Sequence, residues 1–253
     1  MSDLEPQVIP AVPEGPALTQ GQRVIYTFTA PSKTFNDIKR NTSWWMPFLI
    51  GVVATYILFF AVKTKVGFDQ VAENQIRMSP KRAEQMDKLP ADQRASQMKI
   101  SVIVTEVIFA AFPIFSLIAT AVIAGVLLAT INFGFGGKAT FWEVFAVSWY
   151  ASLPGLLKVL LGVIALFAGL APESFNSQNI AGTNLGFYLS QDTPKALLSL
   201  ATSLDVITIW TLILSGIGLS IVAKTKRSSG YIAVFGWWIV VVIFGVGIAA
   251  AFS

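Results

Sequence analysis

Five stretches of predominantly apolar, almost uncharged residues follow one another along the chain, separated by polar segments. A helix needs about 20 apolar residues to cross the hydrocarbon core of a bilayer, and each stretch is close to that length. The pattern therefore predicts an all-α polytopic membrane protein, a bundle of five transmembrane helices. The approximate bounds of the five spans are 44–62, 107–131, 142–170, 206–223 and 231–252.

The residues before the first apolar stretch fall into two parts. Residues 1–22 combine four prolines with acidic side chains and lack the apolar core of a secretory signal, which indicates a disordered tail. Residues 23–40 mix aromatic side chains with Lys and Arg, which favours a short helix in the membrane interface over a plain linker. We therefore expect a disordered tail over 1–22 and a transmembrane domain over 23–253.

Composition excludes several classes of function. Hydrophobic residues make up 54% of the chain and charged residues only 13%, against roughly 25% in soluble domains. Cys and His are both absent, which removes thiol nucleophiles, imidazole bases and the usual zinc ligands. The net charge of +4 is spread over loops and forms no dense basic stripe for nucleic acid. We expect no enzyme activity, no metal and no cofactor.

The third apolar stretch carries an internal charge, Lys158, on a helical face of small residues that suits packing against other helices. Spans two and four begin, and span three ends, on the same side of the membrane, so Glu106 and Asp205 share a leaflet with Lys158. We predict an intramembrane polar cluster of Glu106, Lys158 and Asp205. It either binds an ion, a proton or a polar ligand, as in transporters, or fixes the helix register as a structural ion pair.

A short basic turn, with Lys224, Lys226 and Arg227, separates the last two apolar stretches. Such a short connection predicts an antiparallel helical hairpin, and its cations are candidates for contact with anionic lipid headgroups. Basic residues divide almost evenly between the two sides of the predicted bundle, so the positive-inside rule does not choose an orientation. We expect a cytoplasmic N terminus.

Four short motifs occur in a recognisable order. They are APSKTF at 30–35 followed by WMP at 45–47, FGGKATF at 135–141, YASLP at 150–154, and LDVITIW at 204–210. In this order and spacing, and with five predicted spans, the chain resembles the Yip family, the Ypt- or Rab-interacting membrane proteins with a Yip domain. The resemblance covers the chain from about residue 23 to its end.

The resemblance implies a five-span helical fold with a cytoplasmic N terminus and no enzyme activity. Eukaryotic members are linked to vesicle traffic between ER and Golgi, and to Rab GTPases through a long N-terminal region. The tail here is only about 40 residues long and lacks the Tyr-Gly-Pro motif of those members, so a Rab-type partner is not expected. A short tail suits prokaryotic relatives, for which the location is the cell membrane; a eukaryotic member would lie in the ER or Golgi.

Two functions follow from these observations. The first is a non-enzymatic integral membrane protein that acts in membrane organisation or trafficking. Its expected partners are the lipid bilayer and a membrane protein, or a second copy of the chain. The alternative is a small-solute or ion permease that uses Glu106, Lys158 and Asp205.

Overall fold

The computed structural model describes residues 16–177, 179–190 and 192–251, and in this part of the chain the regular structure is helical, without any strand. The predicted all-α membrane architecture is confirmed. The helices are α1 (Gln20–Thr29), α2 (Pro31–Ile38), α3 (Trp45–Lys65), α4 (Phe68–Arg77), α5 (Pro80–Asp87), α6 (Ala91–Ala129), α7 (Phe141–Ala151), α8 (Gly155–Phe167), α9 (Lys195–Ser203), α10 (Val206–Val222) and α11 (Arg227–Ala251).

Four helical segments are long and apolar enough to cross a membrane: α3, α6 with the π-helical turn Thr130–Gly134 that continues it, α7 together with α8, and α11. The fourth predicted span corresponds to α10, which has 17 residues and is shorter. At a rise of about 1.5 Å per residue, α10 is about 26 Å long. Five crossing helices therefore remain a prediction.

The sixth helix is much longer than the predicted span 107–131. Residues 91–134 form 44 residues of continuous helix, about 66 Å, which is roughly twice the thickness of the hydrocarbon core. Its first turns therefore extend beyond the membrane. Pro113 lies inside the helix, where its missing N–H removes one backbone hydrogen bond.

The N-terminal region differs from the single interfacial helix that the sequence predicts, because it forms two helices. Pro31 begins α2, and Ala30 before it leaves the helical conformation, as expected for a residue that precedes proline. A capping box between Thr19 and Gln22 starts α1. Most of the tail predicted over 1–22 lies outside the described residues, and its last three residues belong to α1. We call α1 and α2 together the N-terminal hairpin.

Two contacts show which helix ends lie at the same end of the bundle. At one end of the bundle, the backbone N–H of Lys138 donates to the carbonyl of Ala223 at 3.1 Å, so the start of α7 meets the end of α10. We call this the basic end. At the opposite end, Lys65 Nζ lies 4.7 Å from the centroid of the Phe167 ring, so α3 and α8 finish at the same level.

The core lies nearer the basic end. Its fully buried side chains come from the N-terminal hairpin, α6 with its π-helical turn, α7 and α10, and include Phe35, Ile131, Val144, Tyr150 and Leu219. A smaller cluster at the opposite end joins α3, α4 and α8 through Val62, Phe68, Val71, Leu166 and Phe175. The N-terminal hairpin is thus an integral part of the main core.

Candidate functional site

Lys158 and Asp205, which the sequence places in one leaflet, form an ion pair in the structure. Lys158 Nζ lies 2.9 Å from Asp205 Oδ1 and also donates to Thr208 Oγ1 at 3.1 Å. The Asp205 carboxylate accepts further bonds from Thr183 Oγ1 at 2.6 Å and from the backbone N–H of Thr208 at 2.7 Å. Only 4% of the Asp205 side chain is exposed, against 31% for Lys158. The carboxylate is therefore buried and fully hydrogen-bonded.

This pair lies deep in the bundle. The helical rise from Lys158 to Phe167 is about 14 Å, which is close to half of the roughly 30 Å hydrocarbon core. The 21 residues of α3 cover about 31 Å and end at the same level as Phe167, so α3 supplies an independent measure of that thickness. Measured along α10, which finishes at the basic end, Asp205 lies about 26 Å from that end, so the Lys158–Asp205 pair lies in the half of the bundle opposite the basic end.

Glu106 does not join this pair. Its Oε1 atom lies 3.0 Å from Lys63 Nζ, and both side chains are about half exposed. Lys63 is in the last turn of α3, so this second pair belongs to the opposite end of the bundle. The predicted cluster of three residues is thus divided between two ion pairs at different depths. Sequence topology gives a shared leaflet, but it does not give the depth of each residue within that leaflet.

The chain is not helical where it reaches Asp205. The helix α9 ends at Ser203, and Asp205 caps α10 in an extended conformation. A neighbouring loop accepts a backbone hydrogen bond at this point: the N–H of Val206 donates to the carbonyl of Thr183 at 3.1 Å. Irregular backbone at membrane depth is tolerated where protein buries it. Asp205, at 3% exposed, and Asn184, at 7% exposed, meet that condition.

A buried ion pair in the N-terminal hairpin has no counterpart in the sequence prediction. Arg23 Nε donates to Asp37 Oδ2 at 2.7 Å, and Arg23 Nη1 donates to the carbonyl of Asn41 at 2.8 Å. Arg23 is 1% exposed and Asp37 is 5% exposed. In sequence the two residues are indistinguishable from other interfacial charges. The available signal is weak: two opposite charges on short helices separated by Pro31.

The hairpin packs into the bundle at a glycine. A Cβ atom at Gly218 on α10 would lie 3.0 Å from Phe35 Cδ1, so the ring of Phe35 fills the space that glycine leaves. The hydroxyl of Tyr150 donates to Gln20 Oε1 at 2.7 Å, and Phe28 packs edge-on against Trp210. The N-terminal hairpin therefore packs against α10 at Gly218 and at Trp210.

The predicted headgroup contacts Lys224, Lys226 and Arg227 are all exposed at the basic end. Arg227 Nη2 donates to Ser32 Oγ at 3.3 Å, which connects the basic turn to the N-terminal hairpin. The exposed side chain of Lys138 belongs to the same end, because its backbone is bonded to Ala223. The basic turn thus gains a fourth cation from a distant part of the sequence.

Among residues 16–177, 179–190 and 192–251, no group of three or more acidic, His or Cys side chains is arranged to hold a metal ion. In each of the two ion pairs of the bundle, Lys63–Glu106 and Lys158–Asp205, a lysine neutralises the carboxylate.

Comparison with known proteins gives one match. The family model of the Yip1 domain matches residues 25–249 of the chain. No curated protein and no solved structure matches the chain. The matched region contains the Lys158–Asp205 pair and the basic turn, whereas Arg23 lies two residues before it.

Proposed function

The chain belongs to the Yip family, and from this premise we propose that it is a non-enzymatic organiser of membranes that acts on lipid and protein partners at its basic end. The observation that carries the proposal is the N-terminal hairpin. Its two helices are joined by the Arg23–Asp37 pair, Phe35 packs against α10 at Gly218, and Ser32 connects the hairpin to Arg227 of the basic turn.

The position of the hairpin supports an effect on membrane shape. Gln20 Nε2 donates to Ser43 Oγ at 3.0 Å, directly before α3 begins, so α1 lies at the level where the chain enters the membrane. Phe35 reaches α10 at Gly218, which is about 8 Å along the helix from Ala223 at the basic end. A helical pair at this level takes up area in one leaflet only, and such asymmetry favours curvature.

The outer surface of the hairpin suits lipid. Ile25 is 61% exposed, so α1 turns this apolar side chain away from the bundle, whereas Phe28 packs against Trp210 of α10. The buried side of α1 carries Arg23 and Thr27. An interfacial helix binds acyl chains through such apolar residues. Burial of the charge inside the hairpin and exposure of Ile25 agree with a position at the boundary between headgroups and acyl chains.

Vesicle shape tests this proposal. The full chain is reconstituted into phosphatidylcholine vesicles, and vesicle diameters are measured by cryo-electron microscopy. We expect the parent protein to shift the distribution to smaller diameters, and Ile25→Ser to reduce that shift. Ile243→Ser is the matched control, because Ile243 is 66% exposed on α11, away from the hairpin. The proposal fails if both variants act like the parent, or if the parent protein leaves the diameters unchanged.

The same proposal covers partners and location. We propose action in vesicle trafficking or in organisation of the cell membrane, with a membrane protein or a second copy of the chain as protein partner. The N terminus is proposed to face the cytoplasm. A Rab-type GTPase is not part of this proposal.

A second candidate function is a small-solute or ion permease. The favouring observation is the buried Lys158–Asp205 pair inside the bundle, beside the break between α9 and α10. Transporters place polar sites at such interrupted helices. The test compares flux through proteoliposomes that contain the parent protein or Lys158→Met. Flux that disappears in a Lys158→Met protein that is still folded after reconstitution would support a permease; the absence of flux in the parent would exclude it for the solutes tested.

A further inference from the structure

We propose that the basic end binds an anionic lipid whose headgroup carries a phosphate monoester, and that Lys224 and Lys138 are the principal ligands of that phosphate. This inference rests on the proposed function, because it names a lipid partner for the same end of the bundle. It starts from the conformation of one lysine.

Lys224 has a φ of 56° and is the only residue other than glycine with positive φ in the described part of the chain. It directly follows the last turn of α10. The N–H of Lys224 donates to the carbonyl of Ile221, and the N–H of Thr225 donates to that of Ser220 at 3.0 Å. These two bonds form the Schellman motif that ends many helices, and glycine is the residue that best adopts its left-handed position.

A lysine in this position is therefore less favourable for the fold than a glycine. A side chain strains the left-handed conformation, whereas glycine adopts it freely. Strained residues of this kind cluster at functional sites. The conformation also projects the exposed Lys224 side chain from the tip of the turn between α10 and α11. We infer that a lysine occupies this position because its ammonium group has a function, since glycine would form the turn more favourably.

A second turn brings Lys138 to the same place. A Cβ atom at Gly137 would lie 2.9 Å from the carbonyl oxygen of Ile131 and 3.0 Å from Ala223 Cβ. The glycine thus allows the turn before α7 to touch the end of α10, and the Lys138–Ala223 backbone bond holds it there. Lys138 and Lys224 therefore project from two turns in direct contact.

In the part of the chain that the structure describes, no carboxylate pairs with these cations. Among the described residues, Lys138, Lys224, Lys226 and Arg227 form no ion pair within 4.0 Å. The carboxylate of Glu143, near the start of α7, accepts bonds from the N–H and the hydroxyl of Thr140 at 2.7 and 2.8 Å. Asp37 is occupied by Arg23. Four exposed cations thus remain available to an external anion.

Two aromatic side chains identify the source of that anion as a membrane. Phe133 is 92% exposed and Trp142 is 56% exposed, and they lie on the two sides of the turn that carries Lys138. Exposed aromatic residues are typical of the membrane interface. The cations are therefore at headgroup level. A phosphate monoester carries about −1.5 to −2 charges at neutral pH, which suits several convergent cations better than a singly charged headgroup does.

The experiment measures lipid binding by native mass spectrometry. The full chain is purified in detergent and titrated with phosphatidic acid, phosphatidylserine or phosphatidylcholine. We expect phosphatidic acid to bind at least tenfold more tightly than phosphatidylserine. Lys224→Gly should weaken phosphatidic acid binding about tenfold while the melting temperature stays the same or rises. Lys138→Gln should weaken binding similarly, and Lys99→Gln, an exposed lysine on α6, should not.

Three results would overturn the inference. One is unchanged phosphatidic acid binding in both Lys224→Gly and Lys138→Gln. Another is a lower melting temperature for Lys224→Gly, which would remove the argument from backbone strain. A third is equal competition by inorganic phosphate, which would indicate a site for the free ion. The vesicle-diameter assay uses phosphatidylcholine alone, so the proposed function and this inference can fail separately.

Discussion

Arg23 and Asp37, on the two helices of the N-terminal hairpin, form an ion pair of 2.7 Å that is almost completely shielded from solvent. Several further bonds from the guanidinium group close the hairpin on itself and on the segment that leads into α3. The two charges therefore hold α1 and α2 together.

The first prediction concerns the removal of one partner from this pair. Asp37→Ala leaves the Arg23 guanidinium buried without its counter-charge, which typically costs about 3 to 5 kcal/mol. We expect the melting temperature to fall clearly. Unfolding is measured by intrinsic tryptophan fluorescence in detergent. The double variant Arg23→Met with Asp37→Leu should recover much of the loss. A single variant that melts like the parent would contradict a stabilising role for the hairpin.

The second prediction compares the two lysine pairs of the bundle. Lys158→Met leaves the buried Asp205 carboxylate without its cation, and we expect destabilisation of about 3 to 5 kcal/mol. Lys63→Met breaks the exposed pair with Glu106, and about 0 to 1 kcal/mol is expected. Thermal unfolding of both variants in the same detergent gives the comparison. Equal losses would mean that burial does not distinguish the pairs.

The third prediction uses two glycines inside helices. Gly218→Ala would place a Cβ atom 2.5 Å from Val147 Cγ1 and 3.0 Å from Phe35, so the hairpin must move. Gly125→Ala on α6 meets no atom within 4 Å and should stabilise its helix by about 0.5 to 1 kcal/mol. Hydrogen exchange over residues 20–38 should rise only in the Gly218 variant. Unchanged exchange would argue against tight seating of Phe35.

The fourth prediction concerns the start of α7. Thr140 and Glu143 form a capping box, and Thr140→Ala should cost about 1 kcal/mol. Faster hydrogen exchange is expected in the first turn of α7. Thr64→Ala is the control, because the Thr64 hydroxyl bonds within α3 and caps no helix start. Equal effects of the two changes on α7 would exclude a specific capping role.

Apolar periodicity and length predicted the helical membrane architecture because these features are local. Long uncharged runs identify helices directly, and proline and aspartate mark several of their starts. The length of α6 was not predictable in this way, because its first two turns are polar helix outside the membrane. The break at Pro31 was missed for the opposite reason, since both flanking segments have the same interfacial composition.

The candidate site was predicted only in part. Lys158 stood out because a charge interrupts an apolar run, and Asp205 because it precedes one. Glu106 has the same local signature, yet its partner Lys63 is 43 residues away in sequence. Arg23 and Asp37 are polar residues in a polar segment, and only the folding of α1 onto α2 buries them. Pairing between distant residues is a property of the packed bundle and leaves little local trace.

The length of α6 makes it a mechanical connection between the two sides of the membrane. Its outer turns pack against α4, and its inner end passes through the π-helical turn into the glycine turn at the basic end. Pro113 divides the helix into two arms of similar length. Because the Lys138–Ala223 backbone bond joins the glycine turn to the end of α10, one continuous helix links α4 at one end of the bundle with the junction of α7 and α10 at the other.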